Sequence, residues 1–317
     1  MLYRPVMAAL LAALPLPALA APAVVVDVPP VHSIVARVME GVAEPTLLLA
    51  PGASPHDYAL RPSDAQAIAQ AGLLVWVGPS LDPWLAEAAD ALGGGARLIL
   101  TEDAGVTLLP FRSRPPLFED ADAEDEHDHG HEAHAGEAGH AHDEHIDPHI
   151  WLDPRNAAAI ADASAAALAE IDPENADRYA ANAADFGREA ADLESELSVK
   201  LAPSRHRGYV VFHDAYQYLE NRFDLPSAGW ILLGDGARPG AARVAALRET
   251  LQTSDVVCVF SEPEFEPKLV DTLIEGTGVR RGRLDGLGLG LQPGPGLWPA
   301  LMHGLADGLG ACLAHGS

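Results

Sequence analysis

Apolar residues along the chain fall into two runs of short strands and helices, separated by one long amphipathic stretch. Segments 23–28, 46–50, 73–77 and 97–100 read as strands. Short, nearly continuous apolar runs bounded by Pro, Gly or Asp suit parallel strands buried on both faces. Between them, 33–41, 61–71 and 81–92 read as helices, with Ser63 near the start of the second as a cap. The alternation restarts at 208, with strands at 208–213, 228–233, 255–260 and 279–284. Helices are expected through Leu219 and over 239–251, 267–276 and 298–313.

Between the two runs, Asp153-Pro154 offers a cap and a first helical position, opening a helix to about 171. Asp172-Pro173 opens another, to about 201. Its larger positions, Tyr179, Ala183, Phe186, Ala190, Leu193 and Leu197, recur at alternating fours and threes, which is one face of a helix. At 1.5 Å per residue that helix reaches about 40 Å. The pattern predicts an α/β fold of two lobes, each a four-stranded parallel sheet flanked by helices, joined by a long rigid helix. The first lobe takes residues 22–172, the linking helix 173–202 and the second lobe 203–317. The two halves share a pattern and no visible sequence repeat.

Ahead of the first strand, residues 1–21 have the form of an export signal. Arg4 supplies a short positive region, 6–16 an apolar core, and Ala18-Leu19-Ala20 a small-residue cleavage site. The apolar run is too short and too interrupted by proline to be a membrane anchor. The expected mature protein is soluble, periplasmic and not embedded in a membrane. The two cysteines, Cys258 and Cys312, both survive signal removal. In an oxidising compartment an even pair reads as a disulfide, worth about 4 kcal/mol on the chain-entropy account; two buried thiols are the other reading.

Charge narrows the partners. A net charge of −26 argues against nucleic acid and anionic lipid, and favours cations. Much of it sits in an acidic loop, 119–146, that also carries His127, His129, His131, His134, His140, His142 and His145 without a single Lys or Arg. The loop lacks apolar periodicity, so it has too little to bury to offset the entropy of ordering. Imidazoles among carboxylates suit borderline divalent ions such as zinc, here as auxiliary low-affinity sites.

Ligands of open parallel sheets gather beyond the carboxyl ends of strands. His56 follows the second predicted strand, His213 closes the fifth, Asp285 follows the eighth, and His149 enters the turn before the long helices. No local motif links these positions, so any site they make is made by the fold. His32 lies in the turn after the first strand and could line the same cleft. His206, His303 and His315 read as surface residues.

Six stretches carry a resemblance: GASPHDYALRPSD at 52–64, AGLLVWVGPSLDPWL at 71–85, DPHIWLDPRNA at 147–157, VVFHDAYQYL at 210–219, VVCVFSEPEFEPKLV at 256–270 and RLDGLG at 283–288. The chain resembles the metal-binding class of periplasmic substrate-binding proteins of ABC importers, most closely the zinc-specific ZnuA type. The resemblance spans nearly all of the expected mature chain. It implies two lobes with metal in the cleft between them, ligands at His56, His149, His213 and Asp285, a Cys258–Cys312 disulfide, and a His-rich acidic loop in the first lobe. Some zinc-type members carry a coordinating Glu just before the first His. Here Pro55 stands there, which leaves Asp285 or a water as the fourth ligand. Manganese-type relatives place a carboxylate where this chain has His213, so the resemblance favours Zn²⁺. Asp57 and Glu262 are candidates for the hydrogen-bond partners such ligands need.

The implied role is non-catalytic: high-affinity zinc capture and delivery to an inner-membrane ABC permease, by a monomer. Two alternatives belong to other classes. One is a zinc buffer or adhesin in which the loop is the function. The other is a zinc hydrolase, disfavoured by a fourth ligand that would close the site and by the lack of an HExxH motif.

Overall fold

The computed structural model of the protein describes residues 21–50, 52–56, 58–112, 117, 146–232 and 239–314. Residues 1–20 of the expected signal, the seven histidines of the acidic loop, Asp57 and His315 lie outside the described residues.

In the first half, strands β1 (Val24–Val26), β2 (Thr46–Leu47), β3 (Leu73–Trp76) and β4 (Ala96–Ile99) alternate with helices α1 (Pro29–Val38), α2 (Pro62–Gln70) and α3 (Pro83–Leu92), and a short helical turn, α4 (Leu100–Asp103), follows. Helices α5 (Pro154–Ile171) and α6 (Ala176–Leu201) cross to the second half. There β5 (Gly208–Val211), β6 (Gly229–Trp230), β7 (Val256–Ser261) and β8 (Arg280–Arg283) alternate with α7 (Gln217–Phe223), α8 (Ala241–Thr253) and α9 (Lys268–Ile274), and α10 (Leu297–Leu313) closes the fold. Each sheet has four parallel strands, in the orders β2-β1-β3-β4 and β6-β5-β7-β8. The two-lobed α/β architecture read from the periodicity is the one observed.

Side chains alternate across each strand, and both faces of both sheets are buried. Val24, Val26, Leu73 and Val75 face one core, while Val25, Leu74 and Trp76 face another with Ile68 and Leu85. In the second sheet Tyr209, Val211, Cys258 and Phe260 share the first core, while Val210, Phe212 and Val259 pack with Leu247 and Leu273. One continuous cluster therefore runs from the first sheet to the second through α1, α5, α6 and α10. The expected face of the long helix is the buried one: Tyr179, Ala183, Phe186, Ala190, Leu193 and Leu197, with Leu201 added.

The linker is thus a helical layer rather than one strut. Trp298 at the start of α10 meets Phe186 in a tilted ring contact at 5.2 Å between centroids, donates its backbone N–H to Ser33 Oγ at 2.9 Å, and donates its Nε1–H to the Trp151 carbonyl at 2.9 Å. A close backbone approach helps seat α10: a Cβ at Gly308 would stand 2.6 Å from the Arg283 carbonyl oxygen. The Cys258–Cys312 disulfide ties α10 to β7, with Cα atoms 6.1 Å apart.

Several local expectations change. Helix α1 begins at Pro29-Pro30, where missing N–H groups cost nothing in a first helical turn. His32 is therefore a buried helical residue with Nε2 3.0 Å from the Pro45 carbonyl oxygen, and it does not line the cleft. Helix α2 is capped by Asp64, which accepts the Arg61 N–H at 3.0 Å, and not by Ser63. Edge strands β2 and β6 are only two residues long, and backbone bonds from Leu48, Leu49, Ile231 and Leu232 carry the pairing a little further. His206 is exposed, and His303 is half-buried with Nδ1 3.6 Å from Glu196 Oε1.

Candidate metal centre

Three of the four expected ligands meet. His56 lies in the loop after β2, His149 in the turn entering α5, and His213 at the end of β5. Their ring centroids are 5.8 Å (His56–His149), 6.3 Å (His56–His213) and 5.4 Å (His149–His213) apart. One ring nitrogen from each lies within 4.8 Å of the other two. Zinc–nitrogen bonds of about 2 Å set tetrahedral nitrogens about 3.3 Å apart, so a small inward shift would satisfy one ion. The space they enclose is only ≈ 10 Å³, bounded also by Trp151, Ala215 and Leu287. That volume is about one water-sized sphere. It is the size for a bare ion.

Each imidazole is held from outside the cluster. Nδ1 of His149 lies 2.8 Å from Oδ1 of Asp147, which also accepts the His149 N–H at 3.0 Å. Asp147 is buried, and its other oxygen accepts Gln217 Nε2–H at 3.1 Å. Nδ1 of His213 lies 2.7 Å from Oε2 of Glu262, whose Oε1 accepts the His213 N–H at 3.2 Å. These carboxylates fix the rings and leave Nε2 of each as the nitrogen open to a metal. His56 is set by its loop: Trp84 Nε1–H donates to the Pro55 carbonyl at 2.9 Å, and Tyr58, in a tilted contact with Trp84 at 5.2 Å between centroids, donates to Asp64 at 2.8 Å.

Burial drives the His56 pKa down to about 3, and His149 and His213 push the same way. His56 is therefore neutral at physiological pH, the form a metal requires. Glu264 shows the opposite response. Burial, with the neighbouring Glu262 and Asp285 charges, lifts its carboxyl to about 7 against the pull of His213. Beneath the His56 loop a second carboxyl pair is fully buried. Asp27, at the end of β1, accepts the N–H groups of Val28 and Val77 at 2.7 Å each, and burial lifts it to about 6; burial and Asp27 together raise Asp82 well above the carboxylate range.

Asp285 stands apart from the three imidazoles. Its two oxygens accept the backbone N–H groups of Leu289 and Gly290, each at 3.0 Å, and among the described residues its carboxylate belongs to neither cluster with metal-ligand spacing. The second such cluster is His213, Glu262 and Glu264. Glu262 emerges as a partner of His213, whereas Asp57 lies outside the described residues. Asp147 escaped the sequence reading; its signal was the Asp-x-His spacing, short enough for a carboxylate to fold back on the ring.

The two lobes are also bridged by charge. Arg112, after the first sheet, donates from Nε to Asp214 at 3.0 Å and from Nη1 to Glu220 at 2.7 Å, and lies 4.9 Å from the Trp230 ring centroid. On α5, Asp153 caps its own helix through the Arg155 N–H at 2.9 Å and binds Arg222 at 2.6 Å.

Comparison with known proteins gives a consistent picture. The family model for the periplasmic component A of the zinc-uptake complex, ZnuA, matches residues 24–312. The chain is 43% identical over 312 residues to the high-affinity zinc uptake system protein ZnuA of Brucella suis, covering 92% of this chain and 91% of that one. It is 40% identical to the protein of the same name from Paracoccus denitrificans, covering 97% of each. A crystal structure of ZnuA superposes with a TM-score of 0.76 at 24% identity, over 92% of this chain and 99% of that chain, which is a likeness of fold.

Proposed function

The chain belongs to the ZnuA family of zinc-uptake proteins, and from that membership we propose that it captures Zn²⁺ in the periplasm and delivers it to an inner-membrane ABC permease. The observation that carries this reading is the convergence of His56, His149 and His213 from both lobes on a space sized for one ion. Three neutral imidazoles suit Zn²⁺ over the harder Mn²⁺, which prefers oxygen. The ion is cargo, and the chain does no chemistry on it; the enclosed volume supports that, since a hydrolase needs room for substrate beside the metal.

Capture follows from the parts. Asp147 and Glu262 hold two rings in the tautomer that presents Nε2, so little ordering remains when the ion arrives. His56 reaches the site on a loop of the first lobe, while His213 belongs to the second, so a bound ion would pin one lobe to the other. A difference between loaded and empty cleft is what a permease would read. The seven histidines at 127–145, on the same chain shortly before His149 in sequence, would add weaker sites that raise the local concentration of zinc. No helix among the described residues is long and apolar enough to cross a membrane.

The test is growth of a host lacking the gene in medium depleted of zinc by a chelator. The expected result is a deficit relieved by added zinc or by the intact chain, and not by a chain with His56, His149 and His213 all changed to Ala. Relief by manganese, or full rescue by the triple variant, would overturn the reading.

A further inference from the structure

We infer that Glu264 supplies the fourth, carboxylate ligand to the ion held by His56, His149 and His213; this rests on the three-imidazole reading of the site. Two carboxylates line the cavity, Glu262 and Glu264, while Asp285 lies outside its lining, and the three differ in what already holds them. Both oxygens of Glu262 are engaged by His213, one at the ring and one at the backbone N–H. Both oxygens of Asp285 accept backbone N–H groups, from Leu289 and Gly290. The Glu264 carboxylate has no hydrogen-bond or ion-pair partner among the described residues. It lines the cavity with the three imidazoles, and it shares with His213 the second cluster whose ligand atoms lie within 4.8 Å of one another.

His213 is the common member of the two clusters. Glu264 therefore lies beside an imidazole of the ion site without yet joining the other two. It sits in the turn between β7 and α9, half-buried, on a side chain with three rotatable bonds. Its side chain can swing toward the ion, whereas Asp285 is held in place by two backbone amides and lies outside both clusters with metal-ligand spacing. Among the described residues no Lys or Arg lines the cavity, so a carboxylate there gains a positive partner when a cation arrives. Charge balance agrees. Three neutral imidazoles leave both charges of Zn²⁺ uncompensated, and one carboxylate removes half of them while completing a tetrahedron.

The experiment uses the purified chain and two isosteric variants, Glu264→Gln and Asp285→Asn, each checked for an unchanged circular dichroism spectrum and melting temperature. Zinc affinity is read by competition with a chromophoric chelator, and coordination by the visible absorption bands of the Co²⁺-loaded forms. The expected result is a loss of about 10- to 100-fold in zinc affinity with altered cobalt bands for Glu264→Gln, and parent-like behaviour for Asp285→Asn. Parent-like affinity and bands for Glu264→Gln overturn the inference, as does the loss appearing in Asp285→Asn instead. A His56→Ala, His149→Ala, His213→Ala control that keeps the tight site would sink the underlying three-imidazole reading instead, and is distinguishable because it leaves all three cobalt spectra alike.

Discussion

The Asp147 carboxylate grips His149 twice, at the ring Nδ1 at 2.8 Å and at the backbone N–H at 3.0 Å, and the same residue is tied to the second lobe by Gln217 and by Tyr218, whose hydroxyl donates to the Asp147 carbonyl at 2.8 Å. A residue two positions from His149 thus fixes its ring and anchors it to the opposite lobe. Changing Asp147 to Ala should weaken zinc binding by about 10- to 100-fold while leaving three imidazoles in place. Competition titration checks this; unchanged affinity would mean that the ring needs no support.

Arg112 holds two buried acids, and its loss should cost more than a surface ion pair would. Burial raises both Asp214 and Glu220, and Arg112 opposes that rise in each. Arg112→Met would leave Glu220, 4% exposed, without its cation. Uncompensated buried charges typically cost about 3–5 kcal/mol, and roughly 2–4 °C of melting temperature is lost per kcal/mol. Thermal unfolding followed by circular dichroism gives the comparison. A variant melting with the parent would show that the lobes do not depend on this bridge.

The pair Asp27 and Asp82 predicts a pH dependence. Both folded-state values lie above the ordinary carboxylate value, Asp27 at about 6. Through that window the native state binds more protons than the unfolded one, so stability falls as pH rises. The stabilising protonation is complete below about 3.8 and lost as pH climbs through about 6. Asp82→Asn supplies a permanently neutral neighbour and should flatten the fall of melting temperature between pH 5 and pH 8, roughly the range where the buried pair loses its proton. If parent and variant melting curves ran parallel across that range, the pair would not be sharing a proton.

The lobes and the long helix were legible because their signals are local. Near-continuous apolar strands and the run from Tyr179 to Leu197 follow from periodicity alone, and buried residues fell on that helix face. Strand-end placement brought out His56, His149 and His213, since carboxyl-end loops converge in any parallel sheet. What was not legible depends on where side chains turn. The early start of α1, which buries His32, followed from Pro29-Pro30 being read as a break and not as a helix start. Asp285, placed after β8, accepts two backbone amides and lies outside both clusters with metal-ligand spacing, which its place in the sequence does not reveal. The grip of Asp147 and the place of Glu264 beside His213 depend on rotamers and on neighbours distant in sequence.

Reduction offers a further check. The Cys258–Cys312 bridge closes a loop of 54 residues, so replacing both cysteines by Ser should cost about 4 kcal/mol. The imidazoles are untouched, so the variant, while folded, should bind zinc like the parent. Denaturant unfolding and zinc titration on the same sample separate the two effects. Loss of tight zinc binding in the folded variant would mean that the bridge shapes the cleft.

The most direct measurement is a competition titration of zinc against manganese on the metal-stripped protein, beside a His56→Ala, His149→Ala, His213→Ala variant. The account predicts one tight site that prefers zinc in the parent, with weaker sites behind it, and loss of the tight site alone in the variant. A tight site that persists in the variant, or one that prefers manganese in the parent, would contradict it.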